Sequence, residues 1–267
     1  MSFVTVEKVR PHVSVITLNR PERRNALSFD LVDSLRRAIE EVGSDNDCWV
    51  AILTGAGQGF CAGFDFKDEG SPPGVEGLPD SRVAMRSIEF MSDLVPALRA
   101  MPQPVIGAIN GSAYGGGMCL TLGADIRIAA RSARFCDAAI NNGLTGTELG
   151  VSFLLPRLIG ASRANEIILT GRELDALEAE RIGLVSRVVP DEQLMEIAFE
   201  LAERMCGFSP HGLAMTKKVL WSNLETNSLT AAIDLENRNQ MLVRQTTRNL
   251  EEATAAWKED RVPHFAD

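Results

Sequence analysis

Asn110-Gly111-Ser112-Ala113-Tyr114-Gly115-Gly116-Gly117-Met118-Cys119 is the stretch on which the fold turns. The apolar run Pro104-Val105-Ile106-Gly107-Ala108-Ile109 precedes it and reads as a buried strand. Met118 and Cys119 continue through Leu120-Thr121-Leu122-Gly123-Ala124-Asp125, which reads as the start of a buried helix. Three consecutive glycines between such elements are costly, each giving up roughly 0.5–1 kcal/mol against alanine inside a regular element. A strand-to-helix turn carries that cost where backbone must approach something closely. The first N–H groups of a helix lack intrahelical partners and sit at its positive end. Glycines leave those groups uncovered. Two readings follow: a backbone cradle for an anion or oxyanion, and a tight strand–helix crossing that needs small residues.

Upstream, a second glycine-rich turn follows a strand. Trp49-Val50-Ala51-Ile52-Leu53-Thr54 is apolar throughout and runs into Gly55-Ala56-Gly57-Gln58-Gly59-Phe60-Cys61-Ala62-Gly63-Phe64-Asp65-Phe66. The G-x-G-x-G does not match a dinucleotide loop, which opens a helix inside a βαβ unit. Residues 60–66 read instead as strand, and the lysine of a phosphate loop is missing. Near the N-terminus, Val4 to Val6 and Val13 to Leu18 alternate apolar and polar residues, as in a hairpin turning through Arg10-Pro11-His12. A polar loop follows, Asn19-Arg20-Pro21-Glu22-Arg23-Arg24-Asn25-Ala26-Leu27. Its arginines are either solvated charge or phosphate contacts, since guanidinium matches phosphate geometry. Ser28 can cap the next helix, whose apolar stripe is Leu31, Val32, Leu35, Ile39 and Val42.

Between the two turns, Glu69 to Asp80 is rich in Gly and Pro and reads as a loop. Ser81 to Ala100 resumes helical periodicity through Met85, Ile88, Met91, Leu94 and Leu98. Downstream, Asp125 to Ala130 and Arg134 to Asp137 read as extended pieces, and Gly143 to Gly150 as a loop with one acid, Glu148. Val151 to Ile159 and Arg163 to Thr170 read as helices, and Leu184 to Pro190 as a last strand. From Asp191 onward the pattern is helical only. The expected division is a core over residues 1–195 that carries the site and a helical C-terminal region over 196–267.

The 267 residues are 45% hydrophobic and 24% charged, as in an ordinary globular protein. A net charge of −9 argues against a nucleic-acid partner, which would want a basic face. No apolar run approaches the roughly 18 residues of a membrane span. Met1 to Glu7 lacks the pattern of a secretory signal. The five cysteines are odd in number and lack metal-ligand spacing. A reduced cytoplasmic protein with packed thiols, no metal and no membrane partner is expected.

The chain resembles the crotonase superfamily, the enoyl-CoA hydratase/isomerase family. The matching pieces are Leu18-Asn19-Arg20-Pro21 with Asn25-Ala26-Leu27, Gly59 to Asp65, Pro104-Val105, Ile109-Asn110-Gly111, Gly115-Gly116-Gly117 and Ala124-Asp125. Farther on come Leu155 to Gly160, Leu169-Thr170-Gly171-Arg172 and Gly183-Leu184-Val185. Together they span nearly the whole chain in the expected order. The resemblance implies an α/β fold, a crotonase-like spiral of repeated ββα units closed by a helical C-terminal region. It implies homotrimers, often paired into hexamers. It implies no permanent cofactor and a coenzyme A thioester as substrate, its thioester oxygen held by the backbone N–H groups of Phe64 and Gly116. Such donors contribute roughly 3–4 kcal/mol each toward a developing oxyanion. It further implies coenzyme A contacts from Arg23, Arg24 and Ala26, from Ala62, Asp65 and Phe66, and from Lys258. Asp65 is also expected to shape its loop, and Asp125 to accept buried backbone hydrogen bonds.

The sequence departs from the family's hydratases at both usual glutamates. One position is Cys119, two residues after the third glycine, and the other is Ala139. A hydration that divides its proton transfers between those two places cannot be written. Glu148, two residues before Gly150, is the acid expected in their stead. It lies where dienoyl-CoA isomerases and the 4-chlorobenzoyl-CoA dehalogenase type carry a functional aspartate. Its other role would be to cap the helix from Val151. Asp137 is the weaker candidate. Cys61, Cys119 and Cys136 are expected as inert packed thiols, because no histidine lies in the segments of the site. The expected activity is enoyl-CoA hydration or isomerisation through a thioester enolate, with one carboxylate as general acid/base. The alternatives are an acyl-CoA-binding homologue with little catalysis, another crotonase chemistry such as thioester hydrolysis, and a nucleotide-binding α/β protein.

Overall fold

The computed structural model of this protein describes residues 2–265. Met1, Ala266 and Asp267, at the outer ends of the two expected regions, lie outside the described residues. The alternating N-terminal residues form the hairpin: β1 (Val4–Arg10) pairs antiparallel with β2 (Val13–Leu18), Val6 opposite Ile16. β3 (Val50–Gly55) lies parallel to β2, and β4 (Gly59–Cys61) leaves at once for a second sheet. The step repeats with β5 (Val105–Ile109) and β6 (Ser112–Tyr114), and again with β7 (Ile126–Ala130) and β8 (Arg134–Cys136). The first strand of each pair extends the larger sheet and the second extends the smaller, so the chain advances as a spiral. β9 (Glu173–Asp175) borders β8 antiparallel, and β10 (Arg187–Val189) borders β7 parallel. The orders are β1-β2-β3-β5-β7-β10 and β4-β6-β8-β9.

The central strands of the larger sheet are buried on both faces, which is why β3 and β5 read as unbroken apolar runs, while the edge strand β1 is largely exposed. One face carries Ile16, Leu18, Ala51, Leu53, Val105 and Ile109 into the main core. The other carries Val15, Val50, Ile52, Ile106, Ala108 and Ile128 into a second core. α1 (Phe29–Ser44) follows β2 and buries Leu31, Val32, Leu35, Ile39 and Val42. Its cap is the Ser28 hydroxyl, which accepts from the Leu31 N–H at 3.2 Å. The helix expected over 81–100 is two, α2 (Asp80–Ser92) and α3 (Leu94–Ala100). Pro96 has no N–H for the Ser92 carbonyl, so the break places proline in a first turn where none is needed. α2 buries only Met91, and the periodic residues Met85 and Ile88 are 57% and 63% exposed.

α4 (Gly116–Thr121) follows the three glycines and is wholly buried. α5 (Val151–Ile159) and α6 (Ala161–Thr170) pack beside it on the main core. Two short elements were not expected, β9 and α7 (Ala176–Arg181). Each is too short to show a period, and only the Asp175 cap, accepting from the Glu178 N–H, marks the second. The strand expected over 60–66 ends at Cys61, because Gly63 turns with φ of 86°. The strand expected over 184–190 is formed only by Arg187–Val189.

Of the C-terminal helices, α8 (Leu194–Cys206) covers the second core through Leu194, Ala198 and Ala202. α9 (Pro210–Leu224) buries a single residue, Lys217. α10 (Leu229–Thr246) buries none and α11 (Asn249–Glu259) only Ala256. The ammonium of Lys217 lies 2.9 Å from Asp125 and donates to the carbonyls of Leu98 and Gln103 at 3.0 and 2.9 Å. Asp125 also accepts from the Val105 N–H at 2.7 Å and from the Trp221 ring N–H at 2.6 Å. The expected backbone bond of Asp125 is present, and two side chains of α9 join it. Burial lowers the pKa of Lys217, and the Asp125 charge opposes that. Replacing Lys217 by methionine leaves Asp125 without its counter-charge at the base of β5. We expect a loss of about 3 kcal/mol and a fall in melting temperature of several degrees. A thermal melt of the variant within one degree of the unmodified protein would refute this.

Candidate active site

Gly115 adopts φ 49° and ψ −125°, a conformation open to glycine alone among the common residues. Its N–H donates to the Cys136 carbonyl at 2.8 Å, tying the turn to β8. Two residues on, a Cβ on Gly117 would lie 2.2 Å from the Cys61 carbonyl oxygen, so only a bare backbone fits. A Cβ on Gly63 would lie 2.6 Å from the Tyr114 carbonyl oxygen and 3.4 Å from the Gly116 nitrogen. The two glycine-rich turns therefore lie against each other. Leu27 holds the upstream one: its N–H donates to Gly63 at 2.7 Å, and its carbonyl accepts from Asp65 at 3.1 Å. Phe64 stands between those bonds. Neither its N–H nor that of Gly116 has a hydrogen-bond acceptor among the described residues.

Glu148 reaches this turn. Its Oε1 lies 3.4 Å from where a Cβ on Gly115 would be. Its side chain does not cap α5: Gly150 is the cap residue, no side chain caps it, and Glu148 offers only its carbonyl to Val151. Burial raises the Glu148 carboxyl above its usual range. Asp137 follows β8 and is fully buried, with neither carboxyl oxygen hydrogen-bonded. Burial, then the negative charge of Glu148, push its carboxyl up to about 7. The structure thus brings together both acids that the sequence offered separately. No local signal pairs them, since ten residues, three of them in a short 3-10 turn, separate the two.

Cys119 and Ala139, at the two non-acidic positions, are both buried. Burial raises the Cys119 thiol, and the charges of Glu148 and Asp137 raise it further. Burial pushes Cys61 up to about 12 and also raises Cys136. These thiols hold their protons at neutral pH and are poor nucleophiles there. His12 stacks on Trp49 with ring centroids 3.8 Å apart. Among the described residues no three His, Cys, Asp or Glu side chains are grouped to hold a metal ion.

Asp65 is 3% exposed and ion-paired with Arg20 and Arg23, each at 2.7 Å. Burial alone would raise its carboxyl. Arg23, the Lys67 N–H and Arg20 outweigh burial and hold it at about 2. Arg20 was not among the expected site residues, and nothing in its local sequence separates it from its neighbours. The Ala62 N–H donates to the Arg24 carbonyl at 3.0 Å, so the arginine loop and the upstream turn are one unit. Arg24 has φ 51°, is exposed and has no ion pair among the described residues. Ala26 is buried beside it. Phe66 is 67% exposed and sets its ring edge-on to Phe64, 5.6 Å between centroids. Lys258 lies exposed on α11 and makes no hydrogen bond or ion pair among the described residues. Two free N–H groups with two desolvated carboxyls beside them can polarise a carbonyl and move a proton next to it.

Comparison with known proteins agrees with this architecture. The family model described as "Enoyl-CoA hydratase/isomerase" matches residues 9–267. A Mycobacterium tuberculosis protein named "Probable enoyl-CoA hydratase EchA12" is 53% identical over 267 residues, 100% of this chain and 94% of that one. The "1,2-epoxyphenylacetyl-CoA isomerase" of Escherichia coli is 37% identical, covering 99% of this chain and 98% of its own. The crystal structure of a probable enoyl-CoA hydratase/isomerase from Mycobacterium abscessus superposes with a TM-score of 0.95 at 49% identity, over 99% of this chain and 98% of that one. The spiral expected from the sequence is thus the fold of solved relatives, and this chain belongs to the enoyl-CoA hydratase/isomerase family of the crotonase superfamily.

Proposed function

We propose that this protein binds an enoyl-CoA thioester and moves protons on its acyl chain through a thioester enolate. The observation that carries this is the approach of Glu148 to the triple-glycine turn, whose Gly116 N–H is free of any described acceptor. The thioester oxygen lies between the N–H groups of Phe64 and Gly116, which strengthen their hold as negative charge develops on it. Gly116 opens α4, so the charge also meets the positive end of a buried helix. Glu148 is the general base and acid. Its partly desolvated carboxyl is a stronger base than a free one, which suits removal of a weakly acidic carbon-bound proton. Coenzyme A itself is substrate and not a resident cofactor.

The arginine loop takes the nucleotide end. Arg24, exposed and without an ion pair, contacts a phosphate; Arg23 shares its charge with Asp65 and holds the loop in shape. Ala26 and Ala62 border the ligand with backbone, and Phe66 offers an exposed ring. Lys258, exposed and without an ion pair among the described residues, serves the same end. Residues 1–195 form the spiral that carries the site, and residues 196–267 serve in pocket cover and subunit contact. Oligomerisation to trimers, or to hexamers built from two of them, is supported by α10 and α11. Leu229, Met241 and Leu242 on α10 and Trp257 on α11 are exposed, and a cavity of about 880 Å³ opens between α9, α10 and α11. No helix of the described residues is long and apolar enough to cross a membrane. The compartment that goes with this reading is the cytoplasm, where five cysteines without disulfide or metal-ligand spacing stay reduced.

Glu148→Gln keeps the shape of the side chain and removes the base. Turnover of 2-enoyl- and 3-enoyl-CoA substrates falls by roughly 10²–10⁴-fold, while acyl-CoA binding by calorimetry stays within a few fold. A variant that keeps a tenth of the unmodified rate would rule Glu148 out as the base. Because burial raises Glu148, activity falls as pH drops through that raised value and the carboxylate becomes protonated. Arg24→Ala removes one charge-assisted phosphate contact. KM for the coenzyme A ester rises up to about tenfold with kcat little changed. A kcat effect without a KM effect would place Arg24 elsewhere in the reaction. Sedimentation velocity at micromolar concentration reports three or six copies, and a monomer would remove the assembly from the proposal.

A further inference from the structure

Asp137 is the buried group in the site that the reading above leaves unused. It is fully enclosed, both of its carboxyl oxygens lack a hydrogen-bond partner, and its backbone neighbours embrace the triple-glycine turn. The Cys136 carbonyl accepts from the Gly115 N–H, and the Ala138 Cβ is 4.0 Å from where a Cβ on Gly115 would lie. Its Oδ2 lies 3.6 Å from the place of a Cβ on Gly146, in the loop that carries Glu148. The titratable groups that face it are Glu148 from that loop, Cys119 from α4 and Cys136 from β8. None of these is a cation. A buried carboxyl without a partner costs stability unless it serves another end. Two carboxyls that share a dry site and act on each other's charge do not both ionise readily.

We infer that Asp137 is the proton partner of Glu148: it keeps a proton in the resting enzyme, leaves the single negative charge to Glu148, and exchanges protons with it during turnover. The inference rests on Glu148 as the acid/base. On a 3-enoyl-CoA the steps balance. The bond from Cα to hydrogen breaks, the proton goes to the Glu148 carboxylate, and the electron pair passes into the thioester oxygen. Both carboxyls are then protonated. Glu148 returns one proton to the γ-carbon as the double bond moves to the α,β position, and the pair again holds one proton. A hydrogen bond between the two carboxyls, which the resting structure does not have, forms in the substrate complex and lets them exchange protons before that return, so the returned proton is the abstracted one in only part of the turnovers. Asp137 acts through Glu148 and is a positioning residue, not a group that touches substrate. Its enclosure, with both oxygens shielded, fits that place.

The experiment follows a 3-enoyl-CoA deuterated at Cα, turned over by the unmodified protein, Asp137→Asn and Glu148→Gln. Asparagine has the shape and neutrality of the protonated acid but no proton to exchange. The unmodified protein is expected to return on the order of half of the transferred deuterium to the same molecule. Asp137→Asn returns nearly all of it, about a twofold rise. The rate of the unmodified protein falls as pH rises through about 7, where Asp137 ionises and sets a second negative charge beside the developing oxyanion. Asp137→Asn loses that alkaline fall. A structural role for Asp137 would lower the rate of the variant but move neither readout. Equal deuterium return by both proteins overturns the inference and leaves Glu148 as sole shuttle. If the unmodified protein neither isomerises nor hydrates any enoyl-CoA, the proposed function fails and this inference with it. If Asp137→Asn does not fold, infrared titration of the unmodified protein and Glu148→Gln decides. A protonated-carboxyl band present at pH 6 in the unmodified protein, lost through about pH 7 and lost at lower pH in Glu148→Gln supports the pair, whereas its absence at pH 6 in the unmodified protein, or a loss that Glu148→Gln leaves unmoved, overturns it.

Discussion

The Cys61 carbonyl oxygen sits where any side chain on Gly117 would have to be. That close approach clamps two turns of the spiral together. It requires β4 to end at Cys61 and β6 to deliver the glycines beside it. The pairing of β4 with β6 does both, setting Gly59 opposite Ser112 and Cys61 opposite Ala113. Once the backbones are in contact, the N–H groups of Phe64 and Gly116 have no carbonyl to meet among the described residues. Gly116 is buried, and an unpaired buried donor is costly. Here the cost is carried by the surrounding core, in which α4 is wholly enclosed.

The buried charges of the protein divide into two kinds. Asp65 and Asp125 are satisfied: the first by Arg20 and Arg23, the second by Lys217, Trp221 and the Val105 N–H. Both fasten loops or helices to the spiral, and for Asp65 the pairing holds the carboxyl well down in spite of its burial. Asp137 and Glu148 are the opposite case, since burial raises both and neither faces a cation. Paired and unpaired acids thus differ by their surroundings and not by residue type, because all four are carboxyl side chains. Raised carboxyls beside free N–H groups are where proton transfer to carbon becomes feasible.

The departure from the family's two-glutamate pattern fits the same electrostatics. Cys119 and Ala139 are buried and uncharged, and the acids that lie beside the triple-glycine turn are Asp137 and Glu148 instead. Those acids come from other places in the spiral.

How much of this was readable in the chain follows from the range of each interaction. The α1 stripe, the hairpin, the apolar strands and the glycine turns depend on neighbours within a few residues, and the sequence by itself determined them. The run of family motifs from Leu18 to Val185 also carried the spiral. Elements under four residues, such as β9, left no period to read, and the helix over 81–100 hid its break because Pro96 serves equally in a first turn. Only the tertiary structure decided that Arg20 joins Arg23 on Asp65, that Lys217 reaches Asp125 across 92 residues, and that Asp137 and Glu148 enter one pocket. Those outcomes depend on burial and on charges brought together by the winding of the spiral, and neither has a signature in local sequence.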